Sequence, residues 1–303
     1  MKALKSNSTN KLKVQFINTN NKTMKKIYIL LAFLTGVFCM LNAQLPVFPQ
    51  DLSKSTVIDS AIYIITYNVN IFNDPNDPKK LTEDVIVLQI GKNVSKSYSN
   101  LLYQADSSAA VLTKKGARNI PWFQEVVPPV IVYKNYPIGE NTVIYRTFLQ
   151  GPIFEYKESM PKIDWKMMPD KKTLLGYTCQ KATGTFRGRT YEAWFSSQIP
   201  FKEGPYKFGG LPGLILQLSD TKNHYVFNCI GIQMPKKKAP ILYWNWETQK
   251  TSREKLNSLV KRAHQNPADV AESMGIKIRV RENSGTDTNK KSLSYPYNPI
   301  ELE

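Results

Sequence analysis

The sequence predicts a mainly β, strand-rich antiparallel domain (β-rich α+β) that carries one or two helices late in the chain. Three observations predict it. Short runs dense in β-branched and aromatic residues recur, Gly/Pro/Asn/Asp clusters separate them, and clear helical spacing of apolar residues begins only after residue 250. The 303 residues, 42% of them hydrophobic, suffice for a packed core. This composition excludes a wholly disordered chain, a collagen-like repeat and a polytopic membrane protein. Three Cys and two His exclude a cysteine-rich scaffold and a histidine-rich metal site.

At the N-terminus, Met24, Lys25 and Lys26 precede an apolar run from Ile27 to Leu41, followed by Asn42, Ala43 and Gln44. A basic start, a short greasy stretch and a small residue read as a secretory signal peptide cut after Ala43. The alternative is an uncleaved anchor, but the run falls short of the roughly 20 apolar residues of a spanning helix, so no transmembrane segment is expected after cleavage. Residues 1–23, rich in Asn and Lys and free of acid, read as an extension ahead of a start at Met24. The organisation is therefore 1–43 as extension plus signal and 44–303 as one domain. The formal charge is +17, and removing the seven lysines of residues 1–43 leaves 34 basic against 24 acidic side chains. That is a basic exported chain with solvated lysines, periplasmic, outer-membrane-associated or secreted. The tight basic run Lys236–Lys238 lacks interleaved aromatics, and nothing resembles a nucleic-acid module.

In the mature chain, Ala61–Asn70 and Asp84–Ile90 read as strands, with the NDPNDPKK turn cluster of Asn73–Lys80 between them. Val94–Ser99 is a short partner strand and Asn100–Ala110 a weak helix. Val126–Tyr133 and Val143–Leu149 are further strands, and Pro128 and Pro129 put the former at an edge or break. Leu174–Phe186 and Arg189–Ser196 form a hairpin with Arg187 and Gly188 at its tip. On its second strand, period-two alternation puts Tyr191, Ala193 and Phe195 on one face. Leu214–Leu218 and Tyr225–Ile232 form another hairpin. Leu256, Leu259 and Val260 mark a helix over Thr251–His264, Pro267 starts a shorter one ended by Gly275, and Ile276–Arg281 reads as a last strand before the polar stretch Glu282–Lys291.

Two cysteines remain after signal removal, Cys179 and Cys229. An even count in an oxidising compartment predicts one disulfide tying the two hairpins together; the alternative is a pair of buried free thiols.

The chemistry-bearing motifs are few. His224 falls in a turn and His264 near a helix end, and there is no G-x-S-x-G elbow, no H-x-x-x-H, no C-x-x-C and no EF-hand loop. No cofactor, metal or catalytic set is expected. Asp164, Asp170 and Glu192 are the carboxylates weighed for a hydrolytic pair. Arg187, Arg189, Trp194, Tyr206 and Phe208 are the ligand-binding candidates, since aromatics beside an Arg suit an anionic amphiphile or a peptide; the alternative places them in the core and rim of the sheet. Gly210, Leu211, Pro212, Gly213, Leu214 and Ile215, in the run GGLPGLIL, read as a structural turn in which Pro presets one dihedral and Gly permits positive φ, feeding an apolar strand.

That run resembles the signature of the GLPGLI family of exported Bacteroidetes proteins. GYTCQKAT at Gly176–Thr183, FRGRTYEAWF at Phe186–Phe195, IPFKEGPYKF at Ile199–Phe208 and YNPIEL at Tyr297–Leu302 resemble further blocks of the family, densest from Trp165 to Leu218. The resemblance implies an exported protein of unassigned role. A fold-level analogy to curved-sheet carriers implies a curved antiparallel sheet or incomplete barrel around an apolar cavity. The expected function is a non-enzymatic envelope protein that binds an apolar or amphipathic ligand or an outer-membrane partner. A carboxylate-dependent hydrolase and a ligand-free scaffold are the alternatives.

Overall fold

The computed structural model describes residues 47–77, 81–117, 127–148, 151–275 and 294–303. The signal segment, the strand expected at Ile276–Arg281 and the polar stretch after it lie outside the described residues.

The strands are β1 (Ser55–Ser60), β2 (Tyr63–Phe72), β3 (Leu81–Ile90), β4 (Ser95–Ser99), β5 (Val130–Lys134), β6 (Glu140–Arg146), β7 (Ile153–Ser159), β8 (Lys166–Leu174), β9 (Tyr177–Phe186), β10 (Arg189–Ser196), β11 (Leu214–Asp220), β12 (Tyr225–Gln233), β13 (Pro240–Trp244) and β14 (Thr248–Lys250). The helices are α1 (Asn100–Lys114), α2 (Arg253–Gln265) and α3 (Pro267–Ser273). Twelve strands form one sheet in the order β14-β7-β6-β5-β4-β3-β2-β12-β11-β10-β9-β8, and β1 and β13 form a separate ribbon. The fold is thus mainly β, with two late helices and a large antiparallel sheet that does not close into a barrel. One pair departs from the antiparallel pattern: the three-residue β14 runs parallel to β7.

The alternation in YIITYNVNIF explains β2. Ile65, Tyr67, Val69 and Ile71 are buried while their neighbours are half-buried. The β9–β10 tip has Arg187 at φ 48° and Gly188 at φ 77°, two consecutive left-handed residues that match the twist of a tight hairpin. Pro128 and Pro129 precede β5 rather than interrupt it, so β5 pairs on both sides. Ser99 caps α1 through Leu102 N (3.3 Å), and the helix runs four residues beyond its expected end.

The faces of the sheet carry different loads. On β4, Ser97 accepts a hydrogen bond from Tyr206 N (3.0 Å), while the adjacent Lys96 reaches the Leu242 carbonyl of β13 (2.8 Å). Alternation places these on opposite faces. The first face is packed by the segment 199–213 leading into β11. Its Phe208, fully buried, meets Phe186 of β9 (5.1 Å between centroids), Tyr191 of β10 (4.6 Å) and Phe227 of β12 (6.3 Å). Side chains from strands three positions apart converge on one ring, so the sheet curves around it. Lys134 of β5 fastens the segment through the Gly204 and Phe208 carbonyls (2.7 Å each) and Glu203 (2.9 Å). Over β9–β12 the interior expected to be an open apolar cavity is therefore filled by the chain's own loop.

The disulfide expected between Cys179 and Cys229 is not formed; both are buried free thiols. β10 and β11 lie between their strands. With two strands between them the cysteines are not cross-strand neighbours, the pairs that a sheet holds close. Instead the thiols point to the nearby carbonyls of Tyr177 and Gly231.

Candidate ligand cavity

Beside the buried loop, on the same face, the sheet leaves a cavity of about 200 Å³. β2 and β3 supply Val69, Ile71 and Ile86, β6 supplies Val143 and Tyr145, and β12 supplies Tyr225 and Phe227. α2 closes one side with Leu256 and Val260, and a C-terminal strap, Pro296 to Glu301, closes another. The strap has no regular secondary structure, so side chains distant in sequence must satisfy its backbone. Arg189 donates to the Pro299 carbonyl from Nε (3.0 Å) and from Nη2 (2.6 Å), to Asn298 Oδ1 (2.6 Å) and to Asp220 Oδ2 (3.1 Å). Tyr191 donates to the Ile300 carbonyl and Tyr225 to that of Asn298, while Leu302 N donates to the Arg187 carbonyl. The ring of His264 stacks edge-on against Tyr297, with Nδ1 2.7 Å from the Pro296 carbonyl; burial holds its pKa below the usual value.

One end of the cavity is polar. Tyr206 donates to Glu301 Oε1 (2.6 Å). Lys207, with no side-chain exposure, reaches Tyr156 Oη (2.8 Å), Glu301 Oε1 (2.5 Å) and Glu158 Oε1 (2.7 Å). Burial pulls the Lys207 ammonium down, but Tyr156, Glu301 and Glu158 outweigh it and the net shift is upward. Burial pushes the Tyr156 hydroxyl up to about 12 and Tyr206 well above its ordinary value. Glu301 Oε2 receives no hydrogen bond; the nearest cations are Arg253 (3.5 Å) and Arg187 (3.9 Å).

The five candidate ligand-binding residues are distributed unequally. Tyr206 lines the cavity. Arg187 sits behind it, paired with Glu158 (3.2 Å), and Arg189 is consumed by the strap. Phe208 lies in the core. Trp194 lies elsewhere, under the Lys172 ammonium (4.0 Å), with its indole donating to Glu192. Asp164 and Asp170 are exposed and Glu192 pairs with Lys181 (2.6 Å). Sequence reasoning did not pick out Glu158, Glu301, Lys207 and Tyr156. The adjacency of Arg187 and Arg189 and the YNPIEL ending held the available signal, because two arginines in one hairpin need acceptors. In the GLPGLI loop, Gly210 has φ +88°, whereas Gly213 serves close packing: a Cβ there would lie 2.1 Å from the Ser196 carbonyl oxygen. Among the described residues no cluster of His, Cys, Asp and Glu is arranged to hold a metal ion, and no helix is long and apolar enough to cross a membrane.

Residues 152–259 match the family model described as N-glycanase peptide, N-terminal domain. That stretch contains every motif of the GLPGLI resemblance except YNPIEL. Two solved structures of PNGF-II, in the P21 and C2 space groups, are similar at 16% and 15% identity, with TM-scores of 0.43 and 0.44. The alignments cover 68% and 67% of this chain, which spans only about a third of theirs (34% and 33%). No curated protein matches the chain.

Proposed function

We propose that this GLPGLI-like chain is an exported, non-enzymatic binding protein of the cell envelope that takes a small apolar or amphipathic ligand between its sheet, α2 and the C-terminal strap. The cavity carries this reading: about 200 Å³, walled mainly by aliphatic and tyrosine side chains, with polar groups gathered at one end. An apolar cavity of about 150 Å³ is enough to bind benzene. The hydrolase reading draws on two observations, the close carboxylates Glu158 and Glu301 and the N-glycanase name of the matching model. Its weakness is geometric. A glycosidic pair must leave room for sugar or water, and here the Lys207 ammonium fills the gap between the two acids.

Calorimetric titration with toluene tests the binding reading. Wild-type protein should bind with a negative heat-capacity change, the mark of apolar burial. Val260→Phe, which fills the cavity from a half-buried helix position, should weaken binding at least tenfold. Equal heats from both proteins would show that the cavity is not the site.

A further inference from the structure

We infer that the cavity selects a ligand whose head donates hydrogen bonds, an alcohol or an amine on a short apolar body, and rejects carboxylate-headed amphiphiles. This rests on the binding reading above and names the chemistry of its ligand. Among the described residues, the charged side chains on the cavity wall are acidic, Asp84 and Glu301; no Lys or Arg lines it. Lys207, the cation closest to the polar end, donates to Tyr156 and Glu301 and pairs with Glu158 at 2.7 Å, so its charge is already matched by two carboxylates. Glu301 is 6% exposed, and its Oε2 receives no hydrogen bond. A buried acceptor without a donor is costly, so a ligand that brings a donor removes a deficit. A carboxylate head brings only acceptors, so it leaves Glu301 Oε2 without the donor it lacks. The expectation from sequence, that Arg187 or Arg189 would hold an anionic head, is thereby reversed: Arg189 is spent on protein acceptors, Arg187 pairs with Glu158, and neither lines the cavity.

Three probes with one tail and different heads make the test: octylamine, 1-octanol and octanoate, titrated calorimetrically into the whole mature chain near pH 7. Octylamine and 1-octanol should bind at least tenfold more tightly than octanoate. In Glu301→Gln, whose fold is checked by circular dichroism, the amide adds a donor and removes the charge, so the preference should fall severalfold. Octanoate binding as tightly as octylamine in the wild type would overturn the inference and leave the binding reading intact. An undiminished preference in folded Glu301→Gln would also overturn it. If none of the three probes binds, the binding reading itself fails. The wild-type series decides the matter even if the variant does not fold.

Discussion

Two glycines in one short loop do different physical jobs. At Gly210 the backbone is left-handed (φ +88°), but the nearest atom to an added Cβ is 3.9 Å away. At Gly213 no left-handed angle is involved, yet an added Cβ would sit 2.1 Å from Ser196 O and 2.5 Å from its carbonyl carbon. Those are backbone atoms of the strand leading into the loop, and they cannot swing aside as a flexible side chain can. Gly210→Ala should therefore cost about 1 kcal/mol, the usual penalty of a strained φ. Gly213→Ala should cost about 3 kcal/mol or more, because the strand must move or the loop must leave the core. Urea unfolding of both variants checks this. Equal losses would mean that the two glycines share a conformational role, as the Gly-x-x-Gly spacing alone implies.

The C-terminal strap depends on Arg189 and its partner Asp220, both nearly fully buried. Replacing Arg189 with Met leaves the Asp220 carboxylate without its cation and strips three hydrogen bonds from Asn298 and Pro299. A broken buried pair costs about 3–5 kcal/mol. The strap should detach before the sheet unfolds, since the sheet has its own ladders. Hydrogen exchange should show lost protection confined to residues 298–302 and the adjoining cavity wall; uniform loss across the sheet would refute a separable strap. This element also marks where sequence reading ends. The β2–β3 and β9–β12 strands are legible because one face is buried and polarity alternates along the chain. β1, reading STVIDS, and β8, reading KMMPDKKTL, carry little such signal, since an edge or ribbon strand buries little and charge protects it from pairing. The strap has no secondary-structure pattern of its own: its backbone is held by side chains far away in sequence, such as Arg189, 110 positions before Pro299. The cysteine expectation failed in the same way. Their pairing depended on strand order, and sequence spacing does not fix strand order.

Burial sets how the whole molecule responds to pH. Lys96 of β4 is buried beneath three rings, Trp244 (4.6 Å), Tyr98 (5.0 Å) and Tyr133 (5.2 Å), and donates to one carbonyl. The rings recover part of the lost hydration, but burial still lowers its pKa to about 7. The unfolded chain holds that proton up to about pH 10.5, so between 7 and 10.5 the unfolded state binds more protons and stability rises with pH, by at most about 1.4 kcal/mol per unit. Two sets of groups act in the opposite sense. Burial raises both thiols, Cys229 to about 11, and it raises Tyr67, Tyr98, Tyr133, Tyr145, Tyr191, Tyr206 and Tyr225. In the unfolded state these ionise near 9 and 10, so each lowers stability above its ordinary pKa. Seven tyrosines together give a slope near 10 kcal/mol per pH unit, comparable to the whole stability of a domain. Wild-type stability should therefore climb from pH 7 to about 9 and then collapse within roughly one to two units above pH 10. Lys96→Met removes that residue's share of the rising limb and leaves the alkaline limb untouched. In urea titrations across pH 6–11 it should exceed the wild type in stability at pH 6, converge with it towards pH 10, and share the alkaline collapse. A difference between the two proteins that stays constant across that range would mean that Lys96 keeps its proton in the fold at every pH, with the three rings offsetting the full cost of its burial.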